Sequence, residues 1–138
     1  MTCKEAGDCI EKYNASCIFC KIVNKELSST IVYDDQRIIA FGDVNPASKG
    51  HTLVIPKDHY VSIDEMPPDI LGKTIEAAKK VTEMLRADDH TIVAFNLLNC
   101  SGAASGQSVG HFHIHVIPRR NGDSGEVVPK IEALLRPK

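Results

Sequence analysis

The chain has no charge excess of either sign: 16 Lys and Arg stand against 18 Asp and Glu, a formal net charge of −2 over 138 residues. Without a broad basic field, nonspecific nucleic-acid binding and adsorption to acidic membranes find no support, and the expected partner is small and locally recognised. Also missing is any apolar run near the ~20 residues a membrane-spanning helix needs. The N-terminus, with Lys4, Glu5 and Asp8 before its first apolar stretch, does not resemble a secretory signal. The expectation is therefore an intracellular, cytoplasmic protein. There is no internal repeat, low-complexity tract or second domain. A single domain of this length buries roughly two-thirds of its unfolded surface without disulfide staples.

The five cysteines are odd in number, which argues against a disulfide framework and for thiols or metal ligands. Only Cys17 and Cys20 have a telling spacing, C-x-x-C, which sets two sulfurs on one turn where they could grip zinc. Inert cysteines and a redox pair are the alternatives, although the βαβ setting of a redox motif is absent. Cys3, Cys9 and Cys100 carry no signal.

The stretch with most chemistry is Gly106-Gln107-Ser108-Val109-Gly110-His111-Phe112-His113-Ile114-His115-Val116-Ile117-Pro118. Histidines at every second position, alternating with Phe112, Ile114 and Val116, match the period of a β-strand, so the imidazoles share one surface and the apolar residues face inward. Ahead of them, Gly102-Ala103-Ala104-Ser105-Gly106 is a small-residue loop that lets backbone N–H groups approach a bound anion. The combination points to a phosphate site armed with imidazoles. Three structural histidines and a three-imidazole metal site are the competing readings.

In chain order, residues 1–15 read as a loosely held tail and 16–138 as one domain. Cys17 to Val23 reads as a short helical segment. Ile31–Tyr33 and Ile38–Phe41 read as a hairpin, and His51–Ile55, before Pro56, as a third strand. From Pro67 to about Arg86, Leu71, Ile75, Ala78, Val81 and Leu85 recur at helical spacing. Thr91–Leu98 is a fourth strand, the histidine stretch a fifth, Arg119-Arg120-Asn121-Gly122-Asp123 a polar turn, and Pro129–Leu135 a short terminal helix. Strands before and after one long helix give an α+β fold with a largely antiparallel sheet of about five strands.

His111-Phe112-His113-Ile114-His115-Val116-Ile117 resembles the signature of the histidine-triad (HIT) superfamily, and the similarity runs from about Cys17 to Arg119, including Gly50-His51-Thr52-Leu53-Val54-Ile55-Pro56. Within it the chain looks like the zinc-bearing members of the nucleotide-binding phosphoramidase branch. That resemblance implies a purine nucleotide (AMP- or GMP-like) as ligand and cleavage of nucleoside phosphoramidates, or related nucleotidyl esters, through a nucleotidyl-histidine. It makes His113 the nucleophile, with His115, His51 and the Gly106–Val109 backbone donating to phosphate oxygens and Ser108 relaying a proton to the leaving group. Ile18, Phe19, Ile22 and Phe41 would sandwich the base, Asp43 would accept from the ribose, and Asn99 and Gln107 would border sugar, phosphate or leaving group. A structural zinc would sit on Cys17, Cys20, His59 and His111, with no catalytic metal, and two copies would pair edge to edge. A dinucleoside polyphosphate hydrolase and a non-enzymatic nucleotide-sensing protein are the alternatives. Gly110 departs from the family, whose members often carry an aromatic there.

Overall fold

The computed structural model describes residues 11–123; the expected helix at Pro129–Leu135, residues 1–10 and Cys3 and Cys9 lie outside that range. The described chain runs α1 (Ile18–Val23), β1 (Ile31–Asp34), β2 (Ile38–Gly42), β3 (Thr52–Pro56), α2 (Pro68–Asp88), β4 (Ile92–Leu98) and β5 (Ile114–Arg120), with 3₁₀ turns at Ile63–Glu65 and Ala103–Ser105. The strands form one five-stranded sheet in the order β1-β2-β3-β5-β4, and every neighbouring pair is antiparallel. The fold is α+β, as the pattern of elements predicts.

Period-two side-chain alternation divides the sheet's residues between two cores. Ile38, Ala40, Val54, Ile114 and Val116 point to one face and are covered by Ile70, Ala77, Ala78 and Val81 of α2. On the other face Ile39, Phe41, Leu53 and Ile55 pack beneath Phe19, Cys20 and Val23 of α1. Because α1 has only six residues, it covers part of that face and leaves the rest open to a ligand.

Three expectations need correction. On α2, Ala78 and Val81 are buried and Leu71 and Leu85 pack against the same core as expected, but Ile75, expected inside, is 50% exposed, and Ile70, Thr74 and Ala77 complete the buried face. The small side chains of Ala77 and Ala78, and Thr74 with its hydroxyl donating to Ile70 O at 2.7 Å, set the packed stripe. Arg119 and Arg120 are not a polar turn but the end of β5. Arg119 is buried and its Nε donates to Asn96 at 2.9 Å, while Arg120 is bound to Asp89 at 2.8 Å. In the stretch read as a loose tail, Glu11 N–H and Lys12 N–H both donate to the Asp58 carboxylate, so residues 11 and 12 are tied to the turn after β3. No helix among the described residues is long and apolar enough to cross a membrane.

Candidate functional site

The ladder of β5 starts at Ile114, later than the alternation predicts, because Phe112 N–H is drawn to Tyr60 O at 2.6 Å and His111 N–H to Val109 O at 2.9 Å. His111 and His113 thus lie in the segment before the strand and His115 within it. Phe112 still faces α2, so all three imidazoles emerge on the open side of the sheet. They take two different environments there.

His111 belongs to a closed cluster. Its Nε2–H donates to Pro56 O at 2.8 Å, which leaves Nδ1 as a lone pair 3.4 Å from Cys17 Sγ and 3.6 Å from Cys20 Sγ. His59 Nδ1 lies 3.3 Å from Cys20 Sγ. The four ligand atoms of Cys17, Cys20, His59 and His111 are within 4.8 Å of one another. Burial pushes the Cys20 thiol up to about 12 and holds His111 down to about 4, because removal from water disfavours the charged form of each. Two soft sulfurs and two imidazoles suit a tetrahedral metal ion, the Pro56 carbonyl is the usual outer partner that orients a ligating imidazole, and four protein ligands leave no position for water. This donor set fits zinc.

His113 and His115 line the neighbouring cavity, of about 450 Å³. Their tautomers follow from a chain of hydrogen bonds. His113 Nδ1–H donates to His111 O at 2.8 Å, so His113 Nε2 carries a free lone pair. Ala47 N–H donates to His51 Nδ1 at 2.9 Å, which puts the proton of neutral His51 on Nε2, 2.9 Å from His115 Nδ1. His115 Nδ1 accepts there, and its own proton sits on Nε2 as a donor. Burial lowers His51 and His113 from the ordinary imidazole range and takes His115 to about 3, with the neighbouring imidazoles His113 and His51 adding to the last. Near neutral pH the set is uncharged, so one ring presents a nucleophile and the next a hydrogen-bond donor.

Asp43, His51 and His115 also come within 4.8 Å of one another, with Asp43 Oδ2 3.5 Å from His51 Nε2. The Ala47 N–H fixes a proton on the His51 nitrogen that would have to bind a cation. This second group is accordingly a hydrogen-bond relay.

Of the expected nucleotide contacts, Ile18, Phe19, Ile22, Phe41, Asp43, Ser108, Val109, His113 and His115 line the cavity. The N–H groups of Ser108 and Val109 donate to no acceptor among the described residues, which leaves them available to an anion. Other residues stand behind the wall. The side chain of His51 is fully buried and reaches a ligand only through His115. Asn99 Nδ2 donates to His113 O at 2.9 Å, fixing the His113 backbone. Gln107 accepts from Gly102 N–H at 2.7 Å and donates to Val61 O and Val109 O at 2.6 and 2.9 Å, so its amide holds the loop in shape. Gly106 supplies a left-handed turn, φ +98°, that a side chain would strain. Leu27, Ser28, Ser29, Val44 and Leu53 also line the cavity and were not foreseen. Only Leu53 had a signal, two residues after His51 on the same strand face, where it pairs with His115.

Comparison with known proteins agrees with this geometry. The HIT domain family matches residues 24–122. The chain is 49% identical over 112 residues to an uncharacterized HIT-like protein of Methanocaldococcus jannaschii, spanning 81% of this chain and 84% of that one. It is 34% identical to the adenosine 5'-monophosphoramidase of Saccharomyces cerevisiae, over 83% of this chain and 70% of the relative. A zinc-bound histidine triad family protein from Mycobacterium smegmatis superposes with a TM-score of 0.76 at 35% identity, over 79% of this chain and 78% of that chain.

Proposed function

The chain belongs to the HIT family, and from that premise we propose that it is a purine-nucleotide hydrolase that cleaves the P–N bond of nucleoside phosphoramidates, or related nucleotidyl esters. The observation that carries this reading is the free Nε2 lone pair of His113 at the cavity wall, held in place by the Nδ1–H bond to His111 O at 2.8 Å. The yeast relative's phosphoramidase activity supports the choice of reaction.

His113 Nε2 attacks the α-phosphorus, a P–N(His) bond forms, and the amine departs with the P–N bonding pair and a proton relayed by Ser108 Oγ. Water then displaces His113, giving a nucleoside monophosphate and the free imidazole. His115 Nε2–H and the N–H groups of Ser108 and Val109 donate to the nonbridging oxygens as charge builds on them. The purine lies among Ile18, Phe19, Ile22 and Phe41, with Asp43 accepting from the ribose. Asn99 and Gln107, read first as ligand contacts, act in this account by holding the His113 backbone and the loop.

Cys17, Cys20, His59 and His111 would hold a structural zinc, which would supply a crosslink between α1 and the segment before β5 and no part of the reaction. A second copy pairs along the sheet edge. The protein resides in the cytoplasm, where reduced Cys17, Cys20 and Cys100 are stable. The test compares adenosine 5'-phosphoramidate with diadenosine polyphosphates as substrates. Faster turnover of the phosphoramidate is expected. Preference for the polyphosphate would select the dinucleoside hydrolase instead, and turnover of neither would select the nucleotide-sensing role.

A further inference from the structure

The nucleotide cavity is attached to the Cys/His cluster at three points. Cys17 and Cys20 bracket Ile18 and Phe19, so the turn that carries the sulfurs also carries a wall of the cavity. The Phe19 ring stands edge-on to Phe41 and His113, both at 5.3 Å, and to His111 at 5.9 Å, touching both sites at once. The carbonyl of His111, whose ring belongs to the cluster, accepts the bond that orients His113. A six-residue helix is too short to be stable alone in water. The N-terminal end of α1 is capped by the Cys17 side chain, which accepts from Cys20 N–H at 3.3 Å. Whatever fixes the two sulfurs therefore fixes Ile18, Phe19 and His113 as well.

We propose that the metal centre and the nucleotide cavity are thermodynamically coupled: zinc on Cys17, Cys20, His59 and His111 raises nucleotide affinity, and a bound nucleotide raises zinc affinity by the same factor. This rests on the reading above that zinc fills one site and a nucleotide the other. The reciprocity is a necessity of linkage. Its physical source is ordering: with the metal in place the α1 wall and the His113 ring are already held, so nucleotide binding no longer bears that entropic cost. Zinc thereby governs occupancy of a site whose chemistry it never touches.

The test is calorimetric titration of AMP into zinc-loaded and chelator-stripped wild-type protein, paired with zinc affinity measured against a chromophoric chelator with and without saturating AMP. Zinc is expected to tighten AMP about tenfold, and AMP to tighten zinc by the same factor. Phe19→Leu, which removes the ring that touches both sites, should bring the coupling factor toward one. Asp43→Asn should weaken AMP yet leave that factor intact. Equal AMP affinity with and without zinc overturns the coupling alone. AMP bound by neither form overturns the nucleotide reading, and failure to take up zinc overturns the metal assignment; either takes the coupling with it. If circular dichroism shows the stripped protein unfolded, the loaded protein decides: in equilibrium competition with the chelator, zinc is held about tenfold more tightly with AMP present, and an unchanged zinc affinity overturns the proposal.

Discussion

Two histidine clusters stand side by side on one sheet face, each with a ring from the 111–115 stretch joined to partners distant along the chain, and they do opposite things with the imidazole ring. In the closed cluster His111 spends its Nε2–H on Pro56 O and turns Nδ1 toward two sulfurs. In the open cluster His113 spends its Nδ1–H on His111 O and leaves Nε2 toward the cavity. Residue type and strand period are the same for both. Which nitrogen is occupied by a backbone carbonyl, and whether the other meets sulfur or space, suits one ring to ligation and the other to nucleophilic attack.

The sharpest way to break this comparison is to remove the open ring. His113→Ala is expected to lower turnover of adenosine 5'-phosphoramidate at least about 10³-fold, since a covalent step is lost, while AMP binding by calorimetry stays within about threefold. Retained turnover in a preparation freed of contaminating hydrolase would mean that the nucleophile lies elsewhere.

Next comes the relay. His115→Ala removes a donor to the charged oxygens and should cost about 10² to 10³ in kcat. His51→Ala acts only through His115 and should cost less, about tenfold. A larger loss from His51 than from His115 would show that His51 touches the substrate directly.

Acid should lower stability through both clusters, since burial holds down His111 as well as the rings of the open cluster. His115 falls to about 3 in the fold, against an ordinary imidazole value near 6.5, and His51 is lowered too. Below pH ~6.5 the unfolded chain therefore binds protons that the folded chain refuses. Their contribution is complete above that pH and is lost progressively as pH falls toward about 3. A decline of a few kcal/mol in unfolding free energy is expected across this window, flattened in His115→Asn. An equally steep decline in that variant would assign the acid sensitivity to other groups.

The smallest effect falls at the ribose. Asp43→Asn should raise KM about five- to tenfold with kcat nearly unchanged, the worth of roughly one hydrogen bond. A fall in kcat instead would place Asp43 in the relay beside His51, from which its carboxylate is 3.5 Å away.

Much of this was legible in the sequence because it depends on local spacing. Period-two histidines, a C-x-x-C pair and a glycine loop are properties of neighbouring residues, and they located the sheet face and two of the metal-type donors, whereas His59, His111 as a ligand and the wall residues Ile18, Phe19, Ile22, Phe41 and Asp43 came from the resemblance to the HIT superfamily. What the sequence did not disclose depends on partners distant along the chain. The burial of His51 behind His115 depends on strand register, which pairs Leu53 with His115. The duty of Asn99 depends on the His113 carbonyl fourteen positions away. The tautomers depend on Ala47 N–H and Pro56 O, backbone groups with no signature in residue type. On α2, Leu71, Ala78, Val81 and Leu85 pack as their helical spacing predicts, while Ile75 fits the same period yet faces out, and only contact with the sheet distinguishes it from Ile70 and Thr74.

Central to the account is the free nitrogen of His113, and mass spectrometry of protein acid-quenched during turnover of a nucleoside phosphoramidate tests it most directly. The account expects a nucleotidyl group on His113 within the 111–115 segment, absent from His113→Ala. An adduct on another side chain, or steady turnover with no adduct on any residue, would contradict it.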